Sequence, residues 1–422
     1  MDKIICSLEE WDSIIDYHRP NGSSKTWYIK EMKQLSRPFM WGDWNVFTEQ
    51  GEMFDNGIFR SLVAPLHSTK VEYKTITDIG DNKHIYVINI FNCNFFKENY
   101  DIGFKCISEK YLNDILGGRA KILMFFNYEG YSGCKNNDDL EIIEKWRIDL
   151  SLPIDSIYYV SGNLLCENIV KERGHGYQAR PIQFFEPWNK YDDSNCVDFK
   201  PVNDKYLYLS YNRNPRPHRI VFALDLMKNN LLDKGLFSLN KINHNRFNLS
   251  PEDFEFLKNN SPFIIDEKYG LDYNLAVNIE KNDYEKTFIS VVTESLVDDG
   301  TLFFSEKIWK PIMVGHPFIL YGNKGSLSYL KSIGYQTFDK WIDESYDDVD
   351  DRNLRSKMVV DELNKFTLKT IEELQQIRNE MKEICEYNKQ HFKVLYKQNY
   401  TPGDLSITIE NVFDEIWTKL NK

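Results

Sequence analysis

Short apolar runs that alternate with amphipathic segments constrain the fold of this 422-residue chain more than any other feature of its sequence. Three such runs lie in the first half, at residues 84–92, 121–130 and 156–163. Between the last two runs, residues 138–150 place their apolar side chains on one helical face. Because buried strands separated by amphipathic helices are typical of parallel sheets with helical crossovers, the sequence predicts an α/β fold.

The same alternation starts again in the second half of the chain. The predicted elements are, in order, strand 206–211, helix 218–230, strand 235–240, strand 287–294, helix 305–315 and strand 317–322. This order is typical of a second, doubly wound sheet. We therefore expect two Rossmann-like domains that face a central cleft, and we expect the chemistry in that cleft.

The length of the chain also favours two domains, because one hydrophobic core seldom serves more than about 250–300 residues. Residues 184–205 are polar and punctuated by proline, which predicts a linker, and the sequence from about residue 355 onward is strongly helical. We expect an N-terminal α/β domain at 1–200, a second α/β domain at 201–350, and a helical segment at 351–422 that packs on both.

Composition excludes several classes of protein. The net charge of −12 argues against broad affinity for nucleic acid, although a local basic cleft remains compatible with it. The seven cysteines are scattered without a C-x-x-C pair, which favours reduced thiols. No apolar run approaches the roughly 20 residues that span a bilayer, and the first residues do not resemble a signal peptide. Alanine is scarce and Asn, Lys and Ile are plentiful, which suggests an AT-rich coding sequence of viral or low-GC bacterial origin. We expect a cytoplasmic protein, in the host cytoplasm if the source is viral.

Three arginines crowd the start of the predicted helix 218–230. Arg213, Arg216 and Arg219 lie there, and Pro217 favours a helix start at that point. The helix dipole disfavours cations at this end, so a bound anion would remove an electrostatic cost, and helix N-termini are good phosphate sites. A solvated basic loop is the alternative interpretation.

A second charged cluster opens the predicted helix 305–315. Ser305 and Glu306 suit a helix start as cap and as first-turn acid, whereas Lys307 opposes the dipole. A ligand with phosphates and a ribose would use both charges, with lysine on phosphate and glutamate on ribose hydroxyls. Glu294 ends the preceding strand, at the carboxyl edge where open α/β sheets bind ligands.

Residues 288–322 resemble the donor-binding signature of the α-1,3-fucosyltransferases. Those enzymes carry a strand that ends in Glu-Asn-Ser/Thr, then Thr-Glu-Lys at a helix start, then a small turn, a proline and an apolar strand that ends in glycine. The matching positions here are Glu294, Ser295, Ser305, Glu306, Lys307, Gly315, Pro317 and Gly322. The chain lacks the asparagine, replaces threonine by serine and has a longer basic loop. The resemblance covers roughly residues 205 to 355.

This resemblance implies a GT-B fold and inverting transfer from a nucleoside-diphosphate sugar, such as GDP-fucose, without an obligatory metal or other cofactor. Residues 201–350 would bind the donor, and residues 1–200 would bind the acceptor, a glycan or other hydroxyl compound that the resemblance does not identify. Arg219 would take the place of the phosphate-binding arginine. The expected donor-binding residues are Ser210, Asn212, Arg213, Arg216, Arg219, Glu294, Ser305, Glu306 and Lys307.

The expected catalytic base is Glu129. It follows an apolar strand of the first domain, in a loop with Gly130 and Gly133. A carboxylate at that carboxyl edge would face the cleft opposite the donor, whereas an exposed loop glutamate is the alternative. Glu294 is the competing candidate for the base.

Asp348, Val349 and Asp350 formally spell a D-x-D metal motif. They lie in an acidic run, and we interpret them as solvated and predict no metal site. Two other functions stay open: a viral glycosyltransferase that modifies hydroxymethylated DNA bases, and a non-catalytic protein that binds nucleotide sugars or glycans.

Overall fold

The computed structural model describes eleven parts of the chain. These are residues 4–8, 46–47, 53–54, 71–75, 79–90, 109–126, 138–183, 206–265, 279–297, 300–399 and 407–422. Glu129 and the predicted linker 184–205 lie outside the described residues. The chain divides into two compact units, one formed by Met1–Gln183 with Lys397–Lys422 and the other by Phe184–Tyr396.

Twelve strands and eleven α-helices lie in the described ranges. The strands are β1 (Ile4–Leu8), β2 (Val46–Phe47), β3 (Met53–Phe54), β4 (Val71–Thr75), β5 (His84–Ile90), β6 (Ala120–Phe126), β7 (Ile157–Ser161), β8 (Gln178–Pro181), β9 (Tyr208–Asn212), β10 (Gly235–Leu239), β11 (Ile289–Thr293) and β12 (Phe318–Tyr321). The helices are α1 (Glu109–Leu116), α2 (Asp139–Asp149), α3 (Cys166–Glu172), α4 (Pro217–Lys228), α5 (Pro251–Asn260), α6 (Lys281–Glu285), α7 (Glu306–Val314), α8 (Ser326–Ser332), α9 (Arg352–Thr367), α10 (Ile371–Asn399) and α11 (Ile407–Leu420).

The first unit is built on a six-stranded sheet in the order β4-β1-β5-β6-β7-β8, and all neighbouring strands are parallel. Helix α2 illustrates how its core forms. The Asp138 side chain caps the helix by accepting from the Glu141 amide, and Leu140, Ile143 and Trp146 are buried against the strands. Each such side chain contributes about 1.5–3 kcal/mol when fully buried. The helix predicted from this spacing is confirmed.

The second unit is built on a four-stranded parallel sheet in the order β10-β9-β11-β12. The chain passes from β9 through α4 to β10 on one side, whereas β11 lies on the other side of β9. The strand order therefore reverses between β9 and β11. Ligands of open α/β sheets bind at such a switch point, outside the carboxyl ends of the strands.

Two parallel sheets with interspersed helices confirm the α/β class, and each unit has a Rossmann-like layout. The helical pattern from about residue 355 corresponds to α9, α10 and α11. Helix α9 begins after Asp351, whose side chain accepts from the amides of Asn353 and Leu354, and it packs against α4. Helix α11 packs on the sheet of the first unit, where Arg180 donates to both carboxylate oxygens of Glu415 at 3.0 Å.

Across the described ranges, no helix combines the length and the apolar character that crossing a membrane requires.

Candidate functional site

Three buried polar side chains join β9 to β11 where the two strands separate. Backbone pairing joins the first two residues of each strand. Beyond that point, the Ser210 hydroxyl donates to the Val291 carbonyl at 2.8 Å, the Asn212 amide donates to Ser210 Oγ at 2.8 Å, and the Thr293 hydroxyl donates to Asn212 Oδ1. The buried side chains of Ser210 and Asn212 therefore hold the carboxyl ends of β9 and β11 together. Their direct contact with a ligand stays a prediction.

The start of α4 lies against the carboxyl end of β11. Pro217 is the first helical residue, as expected, and Arg216 precedes it in an extended conformation. The Arg216 guanidinium donates to the Ser295 carbonyl at 2.7 Å, and His218 Nε2 lies 2.9 Å from the Glu294 carbonyl oxygen. Since a carbonyl only accepts, this nitrogen carries the imidazole proton.

His218 was not expected from the sequence, although its position between two arginines at a helix start was a signal. It is buried, and burial together with the charges of Arg219 and Arg216 lowers the pKa of His218 well below its ordinary value. The imidazole is therefore neutral at neutral pH, and it serves as a hydrogen-bond donor beside two permanent cations.

Arg219 is buried at this junction, with 3% of its surface exposed. Its guanidinium donates to the Asn214 carbonyl at 3.1 Å and to the carbonyls of Thr293 and Glu294 at 3.3 Å each. Backbone carbonyl oxygens at the strand end thus supply the negative partial charges that these cations need at a helix N-terminus. An anion contact for Arg219 stays a prediction, as it does for the half-buried Arg213.

Helix α7 begins with the cap that its sequence indicates. Ser305 is extended, and its hydroxyl accepts from the Lys307 amide at 3.3 Å. Trp309 and Ile312 are buried in the core, and Gly315 ends the helix with a φ of 74°, a left-handed conformation that favours glycine.

Glu294 connects the end of β11 to the start of α7. Its side chain is fully buried, and Oε2 accepts from the Ser295 amide at 3.2 Å, the Ser305 amide at 3.1 Å and the Ser305 hydroxyl. Within the described part of the chain, Oε1 has no hydrogen-bond partner. Burial raises the pKa of Glu294, and the opposing effects of Lys307 and Ser305 are smaller. This carboxyl group holds the site together and retains one unused acceptor.

Lys307 is balanced by its neighbour Glu306. Its ammonium nitrogen lies 2.6 Å from Glu306 Oε1, 3.1 Å from Ser305 Oγ and 3.2 Å from Ser295 Oγ. Burial alone would raise the pKa of Glu306, but the charges of Lys307 and Lys310 outweigh it and lower that pKa. An ionised glutamate explains why a lysine is tolerated at the positive end of α7.

The acidic run that spells D-x-D is divided between two roles. Asp347 is buried and accepts from the amides of Leu327 and Ser328 at 3.0 Å each, which caps α8. Of the D-x-D residues themselves, Asp348 and Asp350 are both exposed, and Asp350 pairs with Lys324 at 2.7 Å. Among the residues that the structure describes, no group of three potential ligands is placed to hold a metal ion.

Most of the predicted donor residues therefore lie at one place. The starts of α4 and α7 both contact Glu294 or Ser295, which places Arg216, Arg219, Ser305 and Lys307 around the end of one strand. The fold and the site define an α/β chain whose second unit carries a charged edge at a switch point. No protein-family model matches the chain, and no curated protein sequence matches it significantly.

Proposed function

We propose that the chain is a glycosyltransferase and that its second unit binds a nucleoside-diphosphate sugar at the edge between β9 and β11. The observation that supports this most strongly is that Arg216 and Lys307, from two helix starts far apart in sequence, both contact Ser295. Positive charge, helix N-termini and a switch point all favour an anionic ligand here, and the resemblance to the α-1,3-fucosyltransferases implies the nucleoside.

The partly exposed cations would bind the diphosphate. Arg216, at the start of α4, and Lys307, at the start of α7, are half-buried and contact the residues at the end of β11. Arg219 is buried and orients the same strand end. Glu306 would accept hydrogen bonds from the ribose hydroxyls. Glu294 would position the start of α7, because its side chain is enclosed.

The reaction would be a direct displacement with inversion. A base removes the proton of an acceptor hydroxyl while that oxygen forms a bond to the anomeric carbon of the donor. The bond from this carbon to the diphosphate oxygen breaks, and the electron pair leaves with the diphosphate, which the cations stabilise. The base would come from the first unit, with Glu129 as the proposed residue, in a GT-B arrangement of the two units.

Donor turnover tests this proposal. The full chain is incubated with GDP-fucose, GDP-mannose, UDP-glucose and UDP-galactose, and release of the nucleoside diphosphate is followed with and without hydroxyl acceptors. The resemblance to the α-1,3-fucosyltransferases favours GDP-fucose. Release that falls in Lys307→Ala but not in Lys340→Ala would support the site. Binding without release would favour the non-catalytic alternative.

Lys340 provides a matched control for Lys307. It pairs with Glu380 at 2.7 Å, close to the 2.6 Å of the Lys307–Glu306 pair. Its side chain is 66% exposed, and it lies in the same unit without a role in the site. Removing it subtracts one positive charge and one ion pair from the unit.

A further inference from the structure

At the start of α7, the partly exposed ammonium group of Lys307 lies among acceptor groups. Lys307 pairs with Glu306 at 2.6 Å and also contacts Ser305, the residue that Glu294 Oε2 holds. Glu294 Oε1, fully buried beside the helix cap, has no partner within the described ranges. The Lys307 ammonium group is therefore occupied by one carboxylate and two serine hydroxyls, and an unused acceptor oxygen lies at the same helix start.

The ion pair of Lys307 with Glu306 affects which anions can bind. The side chains of Lys307 and Glu306 are 20% and 13% exposed, so a ligand can reach both. An anion that approaches Lys307 is repelled by the Glu306 carboxylate, and if it displaces Glu306 from the ammonium group, that carboxylate loses its hydrogen-bond donor. A carboxylate left without a donor at a partly buried site is unfavourable.

A ligand that brings its own donors removes this obstacle. The ribose hydroxyls of a ribonucleoside diphosphate can donate to Glu306 while a phosphate oxygen accepts from Lys307. Inorganic pyrophosphate offers the same phosphate chemistry without the hydroxyl donors. A ribonucleoside diphosphate therefore leaves Glu306 with a hydrogen-bond donor, whereas pyrophosphate leaves it without one.

We propose that Glu306 is a specificity-determining residue that makes occupation of Lys307 by a diphosphate depend on neighbouring ribose hydroxyls, so that the site excludes inorganic pyrophosphate. This inference rests on the proposed donor site and adds a selection that the donor site alone does not require. It also gives the ion pair a function in the ligand-free protein, which is to block the lysine against common inorganic anions.

The test measures affinities for pyrophosphate and for GDP, UDP, ADP and CDP by titration calorimetry on the full chain. Glu306→Gln keeps the shape and removes the charge. We expect its preference for the best ribonucleoside diphosphate over pyrophosphate to fall about fivefold or more, the equivalent of about 1 kcal/mol for a partly exposed ion pair. Glu306→Asp keeps the charge and should still exclude pyrophosphate.

Glu380→Gln is the matched control, because it breaks the ion pair with Lys340 away from the site. It should leave the preference unchanged. A 2′,3′-dideoxyribonucleoside diphosphate should bind the wild type more weakly than its ribose counterpart, and this difference should shrink in Glu306→Gln.

The outcomes separate this inference from the proposed function. An unchanged preference in Glu306→Gln, or a wild type that binds pyrophosphate as tightly as any ribonucleoside diphosphate, overturns the role of Glu306 and leaves the donor site standing. A wild type that binds none of these compounds overturns both.

Discussion

Replacing Glu294 by alanine should destabilise the second unit more than a typical point mutation. The change removes the acceptor for the amides of Ser295 and Ser305 and for the Ser305 hydroxyl, all at buried positions. Each buried donor left without a partner costs about 1–3 kcal/mol. Part of this cost is offset because the unfavourable burial of the carboxylate, visible in its raised pKa, is also removed. We expect a net loss of about 3 kcal/mol in the free energy of unfolding.

The assay is urea-induced unfolding followed by circular dichroism, with midpoints and slopes compared between variants. Glu294→Gln should lie within about 1 kcal/mol of the wild type, since its amide oxygen can accept the same three hydrogen bonds. An alanine variant that unfolds at the wild-type midpoint would refute the role of Glu294 as the link between β11 and α7.

Glu344 supplies the control for this experiment. It accepts from the Phe338 amide at 3.0 Å and from the Thr337 hydroxyl at 2.8 Å, and burial raises its pKa as it does for Glu294. Glu344→Ala should therefore also destabilise the unit, but, unlike Glu294→Ala, which should weaken nucleotide binding, it should leave nucleotide affinity unchanged in the folded protein. If both variants lost nucleotide affinity equally, the effect at Glu294 would reflect general damage.

Four further outcomes are expected. Glu129→Gln should reduce the rate of sugar transfer by roughly 10²–10⁴ while donor binding is retained, as general-base catalysis predicts. If Glu129→Gln turned over normally and Glu294→Gln lost activity, the base would belong to the second unit. Arg219→Ala should lower the free energy of unfolding, because it leaves buried carbonyls without donors, and it should weaken nucleoside-diphosphate binding indirectly, because Arg219 orients the strand end that Arg216 and Lys307 reach; urea unfolding and calorimetry measure the two effects separately. Activity should persist with a chelator, and restoration by magnesium or manganese after complete loss would contradict this. The free energy of unfolding should fall as the pH drops below about 6.5, because His218 binds a proton in the unfolded chain while the buried imidazole of the folded chain stays neutral. The contribution of His218 to this fall is up to about 1.4 kcal/mol per pH unit. Thermal melts of His218→Gln should show a smaller dependence on pH.

The regular elements of the second unit could be predicted because their signals are local. Ser305 and Pro217 mark helix starts through chemistry that involves the next few residues, and apolar runs mark buried strands. In the first unit, β1 and β4 escaped prediction. Each is five residues long and mixes polar with apolar side chains, so neither gives a clear period.

The partners of the charged residues could not be predicted in the same way. The arginines at the start of α4 were expected to face an anion; Arg219 donates to the carbonyl of Thr293, the last residue of β11, and Arg216 donates to the carbonyl of Ser295, two residues further on. Every residue has a carbonyl, so the sequence does not distinguish the ones that a fold brings within reach. Likewise, the sequence did not indicate that the packing of α7 on β11 brings Ser305 to Glu294; the ligand contact expected of Glu294 stays a prediction.

Binding of nucleoside diphosphates tests the central claim most directly. Calorimetry with GDP, UDP, CDP and ADP should show at least one that binds the wild type, with about 1.5–3 kcal/mol of affinity lost in Lys307→Ala and none in Lys340→Ala. If no nucleoside diphosphate binds the wild type, or if Lys307→Ala binds as tightly as the wild type, the edge between β9 and β11 is not a donor site.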